Sequence, residues 1–298
     1  MKFAGIIAEY DPFHNGHAWQ LAQAKALGAE RVAVAMSCSL VQRGALPLLP
    51  EAVRTRSALT CGADLVFALP APCACAGAEA FARAGVALLA AAGCDGLVFG
   101  AETPDAALLM EAAELLDSGS YRAALKAQLA GGARSFAAAR QAAAAKLASD
   151  ERVAALLDKP NNNLAVEYCR AIRSLAPRME AYPLPRQGAN HGEALHSAHG
   201  QFASASALRK LWAEGGADAV APYVPEAVFP LYQEAYAAGQ YTDFSAAGRC
   251  ELALLRSACR GKAPFADIRG VSEGLEHRLE AAVRTSTTYD ELLDALTT

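Results

Sequence analysis

Two histidines lie three residues apart, at a point where an apolar segment gives way to an amphipathic one. His14 and His17 belong to the run Glu-Tyr-Asp-Pro-Phe-His-Asn-Gly-His at residues 9–17, between the apolar residues 3–8 and the amphipathic residues 18–27. This order predicts a strand, a turn and a helix. Free N–H groups and the positive end of the macrodipole at a helix start favour an anion. The pattern therefore predicts a nucleotide phosphate site in which both imidazoles donate to phosphoryl oxygens.

Gly16 supports this interpretation because it has no side chain to keep the backbone away from a phosphate. Two other phosphate motifs are missing, since the chain contains no G-x-x-x-x-G-K-[ST] and no G-x-G-x-x-G after a strand-like segment. The plainer alternative is that the histidines only cap the helix or face solvent, which is the usual role of an isolated H-x-G-H. The strand, turn and helix around this motif favour the phosphate site.

Length and composition predict a cytoplasmic enzyme of one large or two modest domains. The chain has 298 residues and a net charge of −4, and its 53% apolar content is rich in alanine, which favours helix. No apolar stretch reaches the length of about 18 residues that a membrane span needs, and no secretory segment opens the chain. The eight cysteines form no C-x-x-C pair, so we expect reduced thiols and no metal site.

Short apolar runs alternate with helical patterns in the first hundred residues. We predict strands at 3–9, 31–36, 64–69 and 96–100, and helices at 15–27, 51–62 and 76–92. This alternation is typical of an α/β fold with a Rossmann-like parallel sheet. Ligands bind such sheets at the carboxyl ends of the strands. The H-x-G-H motif, the loop after Met36 and Gly100 should therefore converge on one crevice.

The remaining residues are expected to be mostly helical. An alanine-rich region at 104–158 predicts a pair of helices inserted in the first domain, with a break at Gly131-Gly132. A further helix at 161–174, capped by an asparagine, should precede a fifth strand at 179–182. We place the domain boundary after residue 217, so that residues 1–217 form the first domain and residues 218–298 a helical second domain.

At this point the chain resembles a known family. The H-x-G-H after a first strand is the signature of the nucleotidylyltransferase superfamily, and the longer string at 9–17 resembles the tRNA(Met) cytidine acetate ligases. Other segments follow in the family's order: Met36-Ser37, Gln42-Arg43-Gly44, Cys61–Val66, Leu69-Pro70, Leu97–Glu102, Pro160–Asn163, Glu167-Tyr168, Arg186–Ala189, Ala203–Ser206 with Arg209, and Ser272–Glu276. The resemblance therefore covers almost the whole chain.

The resemblance implies an ATP-dependent ligase that forms acetyl-adenylate, releases pyrophosphate and transfers acetyl to the wobble cytidine of elongator tRNA(Met), giving N4-acetylcytidine. We expect Mg²⁺ to neutralise the β and γ phosphates. The implied catalytic residues are His14 and His17. The implied ATP site comprises Ile7, Ala8, Glu9, Tyr10, Asp11, Pro12, Phe13, His14, Asn15, Gly16, His17, Ala18, Trp19, Gln20, Gly100, Asn161, Asn162 and Arg186. Which of the two asparagines contacts ATP stays open.

Two further groups of residues are weaker candidates. Ser204, Ser206 and Arg209 resemble a phosphate-contacting helix start of the wider superfamily, although a plain capping box explains the serines equally well. Arg43 and Arg54 are possible RNA contacts because phosphate contact requires positive charge, and their alternative is a solvated helix face. The resemblance also implies a basic tail beyond residue 298, so we expect either a shortened chain or a short member of the family.

Two other functions remain open from the sequence. One is a nucleotidylyltransferase that acts on a phosphorylated small molecule without an RNA step. The other is a non-catalytic ATP-binding or RNA-binding relative, suggested by atypical residues around Cys38 and Ala76. His191, His196 and His199 cluster in sequence, but their small neighbours favour an exposed loop over a metal site. The sequence does not predict the oligomeric state.

Overall fold

Five parallel strands form the sheet that the sequence predicts. The computed structural model describes residues 1–42, 44–132, 135–186, 195–197, 200–261, 265–268, 271 and 274–296. The strands are β1 (Phe3–Ala8), β2 (Arg31–Ser37), β3 (Leu65–Leu69), β4 (Gly96–Ala101) and β5 (Glu180–Pro185). They lie in the order β3-β2-β1-β4-β5, and all neighbouring pairs are parallel. The predicted Rossmann-like α/β class is therefore confirmed.

Helices form the crossovers that parallel strands require. The first are α1 (Asn15–Ala26) after β1, α2 (Glu51–Thr60) after β2, and α3 (Ala71–Ala74) with α4 (Ala78–Ala91) after β3. The predicted helices at 15–27, 51–62 and 76–92 are confirmed to within two residues at each end. The short helix α3 was not predicted.

Between β4 and β5, the described part of residues 104–158 contains four helices, so the predicted pair is wrong. They are α5 (Ala106–Asp117), α6 (Gly119–Ala130), α7 (Phe136–Leu147) and α8 (Glu151–Leu156), and α9 (Pro160–Leu175) follows them. Each of the four begins at a side chain that accepts a hydrogen bond from the first turn, namely Asp105, Ser118, Ser135 and Asp150. These caps divide an alanine-rich segment whose composition alone suggests fewer and longer helices.

The two faces of the sheet bury different clusters because successive strand residues point to opposite sides. Ile6 of β1 and Val98 of β4 pack in the cluster that contains residues of α1. Ile7 and Phe99 belong to the opposite cluster, which contains residues of α4, α5 and α9. The crevice at the carboxyl ends of β1 and β4 therefore has an α1 side and an α4/α9 side.

The first compact unit extends to Tyr241, well beyond the boundary predicted after residue 217. It includes a hairpin of β6 (Leu195–Ser197) and β7 (Gly200–Phe202), then α10 (Ala205–Val220) and α11 (Phe229–Ala237). The buried Tyr232 of α11 donates its hydroxyl to the Phe13 carbonyl at 2.7 Å, and Asn15 Nδ2 donates to the Pro222 carbonyl at 3.3 Å. These contacts hold residues beyond 217 against the turn before α1.

The second unit, Thr242–Thr298, contains three helices in its described residues. They are α12 (Phe244–Ala258), α13 (Leu275–Thr285) and α14 (Tyr289–Leu296). Leu252, Val283 and Leu292 are among the residues of its small apolar core. Across both units, none of the described helices is sufficiently long and apolar to span a membrane.

Arg54 has a structural position that its sequence context does not reveal. Its side chain is fully buried on α2, so it is not the RNA contact that we expected. Nε donates to the Leu49 carbonyl at 3.0 Å, Nη1 donates to the carbonyls of Glu9 at 2.8 Å and Ser37 at 2.6 Å, and Nη2 donates to the Cys38 carbonyl. Burial lowers the pKa of this guanidinium, but arginine remains charged in proteins. Arg54 thus fastens the ends of β1 and β2 together.

We expect Arg54→Met to lower the free energy of unfolding by about 3 kcal/mol or more. Hydrogen bonds from a charged donor contribute about 1.5–3 kcal/mol each, and their loss leaves buried carbonyls without partners. Urea unfolding followed by tryptophan fluorescence measures this in the first unit, because Trp19 and Trp212 both lie there. Arg56→Met on the same helix is the control, since Arg56 is exposed and should change stability by about 0.5 kcal/mol or less. Equal effects of the two substitutions would contradict the anchoring role.

Candidate functional site

A cavity of about 370 Å³ lies at the carboxyl ends of β1, β4 and β5. Ten residues of the predicted segment 7–20 line it, as do Gly100, Asn161, Arg186 and Ser204. The lining residues of that segment are Ile7, Ala8, Glu9, Tyr10, Asp11, His14, Gly16, His17, Trp19 and Gln20. Pro12, Phe13, Asn15, Ala18, Asn162, Ser206 and Arg209 do not line it. The crevice predicted from the strand order is therefore present, and the H-x-G-H motif forms part of its wall.

The two histidines both cap α1 and face the cavity, so capping does not exclude a functional role. His14 is the N-cap, and its Nδ1 accepts from the Gly16 N–H at 3.0 Å, while His17 Nδ1 accepts from the His14 N–H at 3.3 Å. The rings stack with centroids 3.7 Å apart. A Cβ on Gly16 would lie 2.9 Å from His14 Cε1. Glycine is therefore required for this ring arrangement as well as for backbone access.

Both imidazoles are neutral near pH 7. Burial, followed by the positive charge of Arg186, lowers the pKa of His14 to about 4. Burial, followed by His14 and Arg186, also lowers the pKa of His17 well below its ordinary value. Because Nδ1 of each ring accepts a hydrogen bond, each neutral ring carries its proton on Nε2. The site thus offers two uncharged N–H donors at the positive end of the α1 dipole.

The turn before α1 is held by Asp11 and Arg209. Asp11 Oδ1 accepts from the Leu48 N–H at 2.6 Å, and Arg209 Nη1 donates to the Asp11 carbonyl at 2.7 Å and to Oδ2 at 3.1 Å. Arg209 is therefore engaged with the turn and does not line the cavity. Ser204 caps α10 by accepting from the Ala207 N–H at 3.2 Å, and its hydroxyl lies 3.0 Å from that of Ser206. Of these three candidate phosphate contacts, only Ser204 reaches the cavity wall.

Glu102 fixes the asparagine that borders the cavity, and sequence reasoning did not identify it as a site residue. Its carboxylate accepts from Asn161 Nδ2 at 2.6 Å and from the backbone N–H of Asn162 at 2.7 Å. Glu102 thereby caps α9 in place of the predicted asparagine. The N-cap residue is Lys159, whose side chain makes no capping hydrogen bond. Burial opposes ionisation, but the hydrogen bonds from both asparagines keep the pKa of Glu102 below its ordinary value.

The bond to Glu102 leaves Asn161 Oδ1 to accept a hydrogen bond from Arg186 Nη1. Arg186 is thus oriented at the cavity wall by a chain of two side chains. Asn162 has a different environment, because it is buried and pairs with the Thr103 hydroxyl at 3.1 Å. The structure therefore distinguishes the two asparagines: Asn161 lines the cavity and Asn162 supports the neighbouring loop.

Sequence reasoning named none of several other lining residues as site residues. They are Gln42, Phe81, Phe99, Leu164, Tyr168, Leu184, Pro185, Ala203 and Ala205. The sequence could have identified Phe99 as a lining residue, because strand alternation places it on the same face of the sheet as Ile7. The helix residues Phe81, Leu164 and Tyr168 carry no comparable signal, because helical periodicity only marks them as core residues.

Several residues that the sequence analysis named lie where the structure gives no description. Arg43, Gln187–Ala189, His191, His199 and Ser272-Glu273 lie outside the described residues, as does the side chain of His196. Within the part of the chain that the structure describes, no group of three or more histidine, cysteine, aspartate or glutamate side chains is placed to hold a metal ion. All eight cysteines are free thiols, as predicted.

Comparison with known proteins identifies close relatives. The sequence model of the family described as HIGH Nucleotidyl Transferase matches residues 1–298. The chain is 37% identical to the tRNA(Met) cytidine acetate ligase of Syntrophotalea carbinolica, over 99% of this chain and 70% of that protein. It is 33% identical to the ligase of the same name from Acetivibrio thermocellus, over 100% of this chain and 73% of that protein.

Solved structures of a related protein superpose on this chain. The apo crystal structure of Thermotoga maritima TmcAL superposes with a TM-score of 0.91 at 30% identity, and the match covers 100% of this chain and 71% of that chain. The same Thermotoga protein bound with alpha-thio ATP superposes with a TM-score of 0.88 at 29% identity, with the same coverage. The relatives are thus longer than this chain.

We expect His14 and His17 to remain neutral at pH values where free histidine, with a pKa of about 6.5, is half protonated. Long-range ¹H–¹⁵N spectra of the ligand-free protein should show Nε2–H tautomers for both rings at that pH. His14→Gln and His17→Gln variants assign the resonances. Because protons bind more readily to the unfolded chain, each ring should also lower stability as pH falls below about 6.5. A ring that titrates at its ordinary value would contradict the assigned geometry.

Proposed function

The chain belongs to the tRNA(Met) cytidine acetate ligase family within the HIGH nucleotidyl transferases, and from this membership we propose that it activates acetate with ATP and acetylates a tRNA cytidine. The proposed acceptor is the wobble cytidine of elongator tRNA(Met), and the product is N4-acetylcytidine. The observation that carries the proposal is the pair of neutral histidines at the start of α1. Both line the cavity, and they are the two histidines of the H-x-G-H family signature.

The site suits the triphosphate of ATP. The triphosphate is an anion, and the start of α1 offers the positive end of the helix dipole together with the Nε2–H donors of His14 and His17. Arg186 adds a positive charge to the lining of the same cavity. The related Thermotoga protein binds alpha-thio ATP, which supports the same ligand here.

The first chemical step is an in-line attack by an acetate oxygen on the α-phosphorus. A P–O bond forms to acetate while the bond to the β-phosphate breaks, and pyrophosphate leaves. Negative charge grows on the phosphoryl oxygens during this exchange, where the two imidazole N–H groups and the helix start stabilise it. Because these donors are already fixed by the capping bonds of His14 and His17, they need little rearrangement in the transition state.

We propose that Mg²⁺ enters bound to the triphosphate. Both carboxylate oxygens of Asp11 already accept hydrogen bonds, and the described residues contain no cluster of metal ligands. Phosphate oxygens and water are hard ligands that satisfy Mg²⁺ without a dedicated protein cage. The ion would neutralise the β and γ phosphates and so help pyrophosphate to leave.

The other functions considered from the sequence have less support. The atypical Cys38 donates its thiol to the Leu69 carbonyl at 3.1 Å and is absent from the cavity lining. A non-catalytic relative would have no need of two precisely held imidazole donors. A transferase acting on a phosphorylated small molecule has no specific observation in its favour.

His17→Ala should lower acetate-dependent pyrophosphate–ATP exchange by about 10²–10³-fold, the usual effect of removing one transition-state donor. The assay uses Mg²⁺, labelled pyrophosphate and a series of small carboxylic acids that includes acetate. His277→Ala is the matched control, because His277 is exposed and lies in the second unit. Unreduced exchange in His17→Ala would show that the catalytic assignment is wrong.

Arg186→Ala should raise the apparent KM for ATP about tenfold or more, since a hydrogen bond from a charged donor contributes about 1.5–3 kcal/mol. The same exchange assay over a range of ATP concentrations measures this value. Arg178→Ala removes an exposed arginine near the start of β5 and serves as the control. If the two variants share the wild-type KM, Arg186 does not contact the nucleotide.

A further inference from the structure

Part of the cavity is lined by apolar and aromatic side chains. Ile7 of β1 and Phe99 of β4 line it and pack in the cluster on the α4/α9 side of the sheet. Phe81 of α4, together with Leu164 and Tyr168 of α9, lines the cavity and packs in the same cluster. The two histidines, by contrast, stand at the start of α1. The cavity therefore has a polar part at α1 and an apolar part at α4 and α9.

Close packing holds the apolar part in shape. A Cβ on Gly85 would lie 2.5 Å from Ile7 Cδ1, so glycine is required for Ile7 to lie this close to α4. Phe81 precedes Gly85 by about one helical turn and lies on the same face of α4. Phe99 and Tyr168 have ring centroids 5.4 Å apart, and Phe81, Phe99 and Tyr168 are each at most 5% exposed. Because packed interiors resist the insertion of extra methylene groups, these walls limit the size of a bound group.

The direction of the proposed adenylation step indicates which reactant faces these walls. In an in-line displacement the attacking oxygen, the phosphorus and the leaving oxygen lie roughly on one line. The proposed phosphate donors, His14 and His17, stand at the start of α1, so the leaving pyrophosphate lies on that side. The acid then approaches from the α4/α9 side. Its substituent points away from the phosphorus, because the carboxyl carbon separates it from the attacking oxygen, and an apolar wall favours an apolar substituent there.

We propose that the α4/α9 side of the cavity is the acyl pocket, in which Phe81 and Leu164 set the longest carboxylic acid that is activated. This inference rests on the proposed function. The cavity of about 370 Å³ lies near the lower end of the usual range for small-molecule sites, about 300–1,000 Å³, and it must also hold the triphosphate. Acetate therefore fits, whereas the two additional methylenes of butyrate meet the Phe81 ring and the Leu164 side chain. Glu9 also lines the cavity, where its Oε1 accepts from the Gln42 N–H at 2.5 Å, and no contact with the acid is assigned to it.

The first test is Leu164→Ala in the full chain, because Leu164 is only half-buried. Pyrophosphate–ATP exchange with acetate, propionate or butyrate gives the acid preference as the ratio of kcat/KM for acetate to that for butyrate. One methylene in an apolar pocket changes kcat/KM by about 10–200-fold, so the variant should lower this ratio about tenfold or more and leave the KM for ATP unchanged. Leu88→Ala is the matched control, since Leu88 is a half-buried leucine that packs against the same cluster but does not line the cavity.

Phe81→Ala is the second variant and should lower the ratio further, because it removes a whole ring from the wall. Phe81 is a core residue, so the Leu164 variant decides the inference if Phe81→Ala does not fold. A second measurement uses unreactive acyl-adenylate analogues, acetyl and butyryl sulfamoyl adenosine, with binding followed by calorimetry. The wild-type protein should bind the acetyl analogue more tightly than the butyryl analogue, and Leu164→Ala should reduce that difference.

An acid preference that stays the same in Leu164→Ala, in exchange and in analogue binding, would overturn the inference. A raised KM for ATP with an unchanged acid preference would also overturn it and assign these walls to the nucleotide. A loss confined to acetyl transfer onto an elongator tRNA(Met) transcript would overturn it in favour of the acceptor. A wild-type protein without exchange for any acid would instead overturn the proposed function, and analogue binding would still decide whether the α4/α9 side selects the acyl group.

Discussion

The turn between β1 and α1 is held at every second residue by a side chain from a distant part of the first unit. Arg54 donates to the carbonyl of residue 9, Arg209 donates to that of residue 11, and Tyr232 donates to that of residue 13, at 2.7–2.8 Å. The backbone of this turn makes no strand pairing, so its buried carbonyls depend on these donors. A buried acceptor without a partner costs about 1–3 kcal/mol. The position of the two histidines therefore depends on packing from three other helices, α2, α10 and α11.

This anchoring explains several features of the fold that seem unrelated in sequence. Residues 218–241 belong to the first unit, and Tyr232 among them donates to the Phe13 carbonyl. An arginine is buried on α2 because its planar group satisfies four carbonyls at once. Tyr10 adopts a positive φ of 50°, an unusual conformation for a residue with a side chain, and it packs edge-on against His17 with ring centroids 4.8 Å apart. A preorganised donor pair requires this degree of support, because catalysis loses efficiency when donors must move during the reaction.

The fold was predictable where local pattern decides it, and unpredictable where contacts are distant. Strands of a parallel sheet are buried on both faces and read as apolar runs, so β1 to β4 were found nearly to the residue. The motif at 9–17 located the cavity wall. The structural contacts of Arg54 and Arg209 were not predicted, because a side chain that donates to a carbonyl 45 or 198 positions away leaves no trace in spacing. Asn161 and Asn162 are adjacent and identical in type, and their side-chain partners distinguish them: Arg186 contacts Asn161, whereas Thr103 contacts Asn162.

The charges in the cavity are divided between groups with different tasks. Two imidazole rings stacked at 3.7 Å would repel each other strongly if both were protonated, and burial beside Arg186 keeps them neutral. Among the described residues that line the cavity, the lasting positive charge is therefore that of Arg186, which Glu102 holds in place through Asn161. In the proposed function, the arginine attracts the anion and the histidines donate to phosphoryl oxygens at short range. Because the imidazole donors are uncharged, the strength of their hydrogen bonds depends on distance and angle to the acceptor. The anchored turn fixes that geometry.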